Sequence, residues 1–161
     1  MAGFGVAMPI TNSEAAFADS VRPHLSDMWR LACRLVDVDT ADDIVQDALL
    51  RAWAKWDQYD EERGSVGGWL MAITADRARR FRTRRRPHAI VAPRTAGSED
   101  ERIDLEAVVA RLSPRQKLAV DCYYFVGLSV DETATVMGCS NGTVKSTLAD
   151  ARERLREALQ R

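Results

Sequence analysis

The chain has 161 residues, 46% of them apolar, and a formal net charge of −1. That is enough apolar material for one ordinary domain or two small packed ones, which sets it apart from disordered chains. No uncharged apolar run approaches the roughly 18–20 residues of a membrane span, and Met1–Asn12 carry neither a basic residue nor the long apolar stretch of a secretory leader.

These features predict a cytoplasmic protein with no membrane insertion and a flexible N-terminus over 1–12, for which Met1 and Met8 are both candidate starts. Apolar residues then recur at three- and four-residue steps, which predicts helix. Phe17, Val21, Leu25, Met28, Leu31, Ala32 and Leu35 mark a helical stretch from about Ser13 to Val36, broken at Pro23. After a turn at Asp37–Asp39, Thr40 is the predicted N-cap of a helix running to about Trp56, with Asp42 and Asp43 in its first turn. Ile44, Val45, Ala48, Leu49, Ala52, Trp53 and Trp56 form its core stripe. A polar loop, Asp57–Gly64, precedes a long helix that starts at Ser65, turns Val66, Trp69, Leu70, Ile73 and Phe81 inward, and stops at Pro87. Residues 87–101, PHAIVAPRTAGSEDE, are a linker by composition. They separate a unit at 13–86 from one at 102–161.

The second unit is sharply punctuated. Ser113-Pro114-Arg115-Gln116 is a capping box with proline at the first helical position. Its helix reaches Phe125 or Val126, where Gly127 supplies a left-handed end. Ser129-Val130-Asp131-Glu132 is a second box, opening a short helix that ends at Met137 before Gly138. Ser140 caps a last helix to about Leu159. No run alternates like a strand, so the predicted fold is all-α: two small helical domains joined by a flexible linker. The second contains a helix-turn-helix.

The small net charge conceals a segregation. Residues 1–63 carry a net −6, residues 64–95 a net +7 and residues 96–161 a net −2. A basic stripe between acidic segments predicts one surface for a polyanion and others for different partners. Cys33, Cys122 and Cys139 form no CxxC pair, and His24 and His88 lack neighbours at ligand spacing, so neither a disulfide framework nor a metal site is expected. Nucleophile–base pairs and phosphate-binding glycine loops are also missing from the sequence. The expectation is no catalytic residue, no cofactor and no enzyme.

Three patterns remain as candidate sites. In the helix-turn-helix, Val130, Val136, Val144 and Leu148 point inward, leaving Asn141, Thr143, Lys145, Ser146, Ala149 and Asp150 toward a groove. Spacing alone would also suit a hairpin that merely packs. Arg77, Arg79, Arg80, Arg82, Arg84, Arg85 and Arg86 surround the end of the long helix. Like charges at such spacing repel, which a phosphate backbone would relieve through counterion release; a solvated helix end is the plainer alternative. Trp69 and Phe81 add aromatic surface there, with core packing as the alternative. On the 40–56 helix, Asp43, Gln46, Asp47 and Leu50 share a face opposite the core stripe, which suits docking to a basic protein partner.

In order and spacing these segments resemble the extracytoplasmic-function sigma factors, group IV of the sigma-70 family. Asp39-Thr40-Ala41-Asp42-Asp43-Ile44-Val45-Gln46-Asp47-Ala48-Leu49-Leu50-Arg51-Ala52-Trp53 is similar to the family's polymerase-docking helix. Arg63-Gly64-Ser65 and Trp69-Leu70-Met71-Ala72-Ile73, followed by the arginine run, resemble its −10-reading loop and helix. Leu112-Ser113-Pro114-Arg115-Gln116 and Gly127-Leu128-Ser129-Val130-Asp131-Glu132-Thr133-Ala134 resemble the start of its −35-reading domain. Gly138-Cys139-Ser140-Asn141-Gly142-Thr143-Val144-Lys145-Ser146 is similar to its turn and recognition helix. The likeness spans about Phe17 to Leu159.

The resemblance implies a subunit that binds core RNA polymerase through Asp43, Gln46, Asp47 and Leu50. It implies −10 contacts by Ser65, Trp69, Arg77, Arg80 and Arg84, and −35 contacts by Asn141, Thr143, Lys145, Ser146, Ala149 and Asp150. Promoter DNA is then a partner, and an anti-sigma factor, common in the family, is a further one. The chain departs from the family in two places. Thr147 and Asp150 stand where basic residues are usual, and Gly67 and Gly68 each weaken the start of a helix by about 1 kcal/mol relative to alanine. A stand-alone helix-turn-helix regulator would explain residues 128–159 but neither the acidic face nor the arginine helix. A sequestering protein of the same fold is a further rival.

Overall fold

A computed structural model describes residues 12–85 and 105–160, and every element among them is helical. The residues at 1–11, Pro87 and the 87–101 linker lie outside the described residues. Pro23 breaks the first stretch as expected. α1 (Asn12–Val21) passes through a 3-10 turn (Arg22–His24) into α2 (Leu25–Leu35).

α3 (Val38–Ala54) corrects the predicted cap. Asp37, in extended conformation, is the N-cap, and its Oδ1 accepts from Thr40 N at 3.0 Å and Thr40 Oγ1 at 2.7 Å. These bonds favour the charged carboxylate and hold its pKa below the ordinary value, the Thr40 hydroxyl contributing most. Thr40 is the buried third residue of the helix, and the acid in the first turn is Asp39 rather than Asp42 or Asp43. The helix also stops at Ala54, and Trp56 lies in a 3-10 turn, Trp56–Gln58. A second such turn, Glu61–Arg63, leads to Gly64, whose φ of 151° is open to glycine. α4 (Val66–Arg84) begins one residue after the predicted start, Ser65, which is its N-cap and whose Oγ accepts from Gly68 N at 3.0 Å.

In the second unit, α5 (Leu105–Val109) precedes α6 (Pro114–Val120), which carries both arms of the Ser113–Gln116 capping box. α6 does not continue as an α-helix to Phe125. Residues Asp121–Val126 wind as a wider π turn, closed by left-handed Gly127. α7 (Val130–Met137) has the Ser129–Glu132 box and ends at left-handed Gly138; α8 (Asn141–Leu159) follows, capped by Ser140.

The second unit has its own core, in which Val109, Leu112, Val120, Val144 and Leu148 pack with Ala119, Ala134 and Ala151. A small cluster of Ala32, Val36, Ala41, Ile44 and Ala78 ties α2, α3 and α4 together. The largest cluster is common to both units: Met28, Leu31, Leu70 and Met71 share it with Cys122, Val126, Leu128 and Val136. Burying one such large side chain contributes about 1.5–3 kcal/mol. Val136 therefore points inward as predicted, but into the shared core rather than that of its own unit. Burial, then the neighbouring Asp121 carboxylate, pushes the Cys122 thiol up to about 12.

An ion cluster crosses the same boundary. Asp121 is fully buried; its Oδ1 accepts from Arg34 Nε at 2.8 Å and its Oδ2 from Lys117 Nζ at 2.9 Å. Arg34 also donates to Glu106 Oε1 at 2.8 Å and lies 3.9 Å from the centre of the Phe125 ring. Removing one partner of such a buried cluster would leave an uncompensated charge and destabilise the fold.

Gly67 and Gly68 are both buried. A Cβ on Gly67 would come within 2.9 Å of His24 Cε1 and 3.1 Å of Glu132 Oε1. One on Gly68 would lie 3.3 Å from Glu132 Cγ and 3.4 Å from its Cα. A side chain on Gly67 would strike the His24 ring, and one on Gly68 would crowd the close approach of α7 to α4, so close packing offsets the poor helix propensity of both glycines.

Candidate nucleic-acid and partner interfaces

α3 separates its faces cleanly. Ala41, Ile44, Ala48 and Ala52 are buried, while Asp43, Gln46 and Leu50 are exposed, Leu50 at 69%. Trp53, predicted for the core, lies against Phe17 at a centroid distance of 5.1 Å and is still 40% exposed, which extends the apolar surface one turn past Leu50. Asp47 stands apart from its predicted companions. Its Oδ2 accepts from Arg77 Nε at 2.5 Å and so joins α3 to α4. Two residues predicted for different partners, Asp47 and Arg77, are thus brought together.

The loop before α4 is held by an aromatic stack. Tyr59 lies over Trp56 at 5.6 Å and against Trp69 at 5.1 Å, and its hydroxyl donates to Gly64 O at 3.0 Å. Trp69 is half-buried in that stack and supports the loop rather than standing free. Ser65 is exposed, but its Oγ both accepts from Gly68 N and donates to Glu132 Oε1 at 3.3 Å. Along α4, Arg80 donates to Asp76 Oδ2 at 2.8 Å, an exposed pair of small energetic weight. Arg82 and Arg84 are exposed and have no ion pair among the described residues. They sit in the last turn, where the helix dipole favours cations.

On the helix-turn-helix, the residues predicted to face a groove lie on the exposed side of α8. Asn141, Lys145, Ser146, Ala149 and Asp150 are exposed, and Thr143 is half-exposed with its hydroxyl 2.9 Å from Ser140 Oγ. Val144 and Leu148 are buried on the opposite side. The Asn141 amide donates to Asp131, which braces the turn. Thr147 is buried and donates to Thr143 O at 2.7 Å, so it belongs to the packed side of α8. Arg154 donates to Gln116 Oε1 at 3.1 Å, leaving Asp150 with no ion pair among the described residues. No group of three or more His, Cys, Asp or Glu among those residues could hold a metal ion, and no helix is long and apolar enough to cross a membrane.

Sequence reading did not find the Arg34–Asp121–Lys117 cluster or the second bond of Glu132. A signal for the first exists: Asp121 is a lone acid in the apolar run Leu118–Val126, with Lys117 one helical turn before it.

A capped helix-turn-helix beside a second unit with a basic helix end and a separate acidic, apolar face defines a helical DNA-binding transcription protein. Known families agree. Residues 20–87 match sigma-70 region 2 and residues 102–155 match sigma-70 region 4. The ECF RNA polymerase sigma factor SigC of Mycobacterium tuberculosis is 34% identical over 140 residues, covering 80% of this chain and 75% of that protein. The RNA polymerase sigma-E factor of Streptomyces avermitilis is 33% identical over 154 residues, covering 89% and 85%. The sigma factor RpoE of Bartonella quintana, solved with the anti-sigma factor NepR, superposes with a TM-score of 0.67 at 29% identity, over 90% of this chain and 97% of that one. CnrH, solved with the cytosolic domain of CnrY, shares the fold with a TM-score of 0.70 at 24% identity, over 93% and 91%. The chain belongs to the extracytoplasmic-function group of the sigma-70 family; it is a sigma factor, which directs RNA polymerase to promoters.

Proposed function

We propose that this sigma factor acts in the cytoplasm, docks on core RNA polymerase through the Asp43, Gln46 and Leu50 face of α3, and reads a promoter with its two units. The loop at Arg63–Ser65 and the basic end of α4 serve the −10 element, where a melted strand needs positive charge. The N-terminal half of α8 enters the major groove at −35. Phosphodiester chemistry stays with the polymerase. The observation that carries this reading is the clean division of α8, exposed from Asn141 to Asp150 on one side and buried at Val144, Leu148 and Ala151 on the other. An anti-sigma factor is a further expected partner, supported by the complex in which the Bartonella quintana relative was solved. Run-off transcription from a promoter library tests the reading. Start sites should depend on core polymerase and this chain together. Promoter binding that is as tight without polymerase, with no transcript, would favour a stand-alone regulator.

The arginine end carries a prediction. Arg80→Ala and Arg84→Ala should each lower the log–log salt dependence of open-complex formation by about one unit. Arg77→Ala should leave that slope unchanged and instead loosen α3 from α4, because its guanidinium is committed to Asp47. An unchanged slope in the first two variants would leave the cluster a solvated helix end.

Asp150 carries another. With Arg154 turned to Gln116, its carboxylate is free to face the groove, where it repels phosphate or accepts from cytosine N4. Asp150→Arg should tighten −35 binding by the holoenzyme. A simultaneous loss of discrimination among −35 sequences identifies base reading, and retained discrimination identifies repulsion. No change in affinity would show that α8 docks through another face.

A further inference from the structure

Asp131 and Asn141 stand at the starts of the two helices of the helix-turn-helix, in the first turn of α7 and at the first residue of α8. The Asn141 side-chain amide donates to Asp131 Oδ1. Neither helix start needs that bond. α7 opens with the complete Ser129–Glu132 box, and α8 with Ser140, whose Oγ accepts from Thr143 N at 3.2 Å. The Asp131–Asn141 bond satisfies no backbone group, and between two exposed side chains it adds little to stability. What it does fix is direction. A carboxamide has two donor hydrogens at one end and an acceptor oxygen at the other, whereas an ionised carboxylate only accepts. Asp131 therefore draws the Nδ2 end of Asn141 toward α7 and leaves Oδ1 with no partner among the described residues. The neighbouring hydroxyls of Ser140 and Thr143 lie 2.9 Å apart and are engaged with each other.

The first residues of a recognition helix are those that meet base edges. In the major groove adenine and cytosine present an amine donor, N6–H or N4–H, whereas guanine O6 and N7 and thymine O4 present acceptors. An amide free to turn round suits either kind. One held by a carboxylate meets an amine with a hydrogen bond and meets a base acceptor with a second acceptor, which repels it. We propose that Asp131 is a positioning residue for −35 recognition: it holds Asn141 with its carbonyl oxygen toward the groove, so that this position accepts adenine or cytosine and rejects guanine or thymine. The inference rests on the reading of α8 as the −35 helix. Asp131 touches no base itself and acts through Asn141.

The test is run-off transcription by the full chain with core polymerase on a promoter library randomised through the −35 element, read as the base preference at each position. Both residues are exposed, so their substitution leaves the cores intact. The position that Asn141 meets is the one whose preference Asn141→Ala erases. There the unsubstituted chain should favour A or C over G or T by about fivefold or more. Asp131→Ala should level the same position to within about twofold and leave the ranking at every other position as it was. The double variant should then behave as Asn141→Ala alone, because the two residues act as one unit. Asp131→Ala with Asn141→Asp keeps the net charge and puts an acceptor-only group at 141, so the preference for A or C should return without the brace. A merely structural Asp131 would lower transcription from all −35 sequences alike and keep the preference. That result, a preference of Asn141 for G or T, or a swap that leaves the position level overturns the positioning role while the −35 reading stands. If Asn141→Ala changes no base preference at all, the −35 reading of this end of α8 fails and the positioning role fails with it.

Discussion

Leu50→Asp should reduce affinity for core RNA polymerase by about thirtyfold or more while leaving the melting temperature almost unchanged. Leu50 is 69% exposed and opposite the buried Ala41, Ile44, Ala48 and Ala52, so the fold gains little from it. An apolar residue ringed by Asp43 and Gln46, with half-exposed Trp53 one turn on, has the character of an interface anchor. Truncating or charging such an anchor costs about 2 kcal/mol or more of binding, which is the stated factor. Asp47→Arg would be a poor substitute. It would set two guanidinium groups against each other where Arg77 now meets Asp47, and weakened binding could then come from a displaced helix. Equilibrium binding of labelled chain to core polymerase, with circular-dichroism melting as control, decides the matter. Unaltered affinity removes α3 as the docking face.

Leu148→Ala should lower the stability of the second unit by about 3 kcal/mol. Leu148 is 4% exposed and packs with Val109, Leu112, Val120 and Val144. A unit of this size holds on the order of 5 kcal/mol in total, so the loss is most of what keeps α8 in place. Ala149→Gly, one residue on and exposed, should cost only about 1 kcal/mol through helix propensity. Urea midpoints and −35 binding should fall together in the first variant and hardly move in the second. A cost for Leu148→Ala no larger than that for Ala149→Gly would mean that α8 is not packed as described.

The parts of the fold legible in the sequence are those whose cause is local. Ser65, Ser113, Ser129 and Ser140 cap helices because a serine hydroxyl satisfies an amide within three residues, and both boxes close with the expected Gln116 and Glu132. Gly127 and Gly138 are left-handed because each follows the last turn of a helix. The misplaced cap at Thr40 was also a local matter, but the stretch Asp37-Val38-Asp39-Thr40 offers two candidates three residues apart, and burial of Thr40 decides for Asp37. The division of α8 into an exposed and a buried side followed from helical spacing alone. Contacts between distant segments did not follow. Arg34 and Asp121 are 87 residues apart and Asp47 and Arg77 are 30 apart, so each looked like one more surface charge. Gly67 and Gly68 looked like weak points in a helix until the neighbour that needs the space was known.

The π turn at Asp121–Val126 acts as a phase shifter. Ala119 and Val120, just before it, face the core of their own unit; Cys122 and Val126 within it, and Leu128 beyond it, face the core shared with α2 and α4. A π turn takes in about one residue more than an α turn, which delays the rotation of everything downstream by roughly 100°. Removing Tyr123 or Tyr124, both exposed, would delete no buried side chain. It would nonetheless restore the ordinary pitch and swing Val126 and Leu128 away from the seam. A single-residue deletion at an exposed tyrosine would thus weaken the seam between the two halves without removing a side chain from either core.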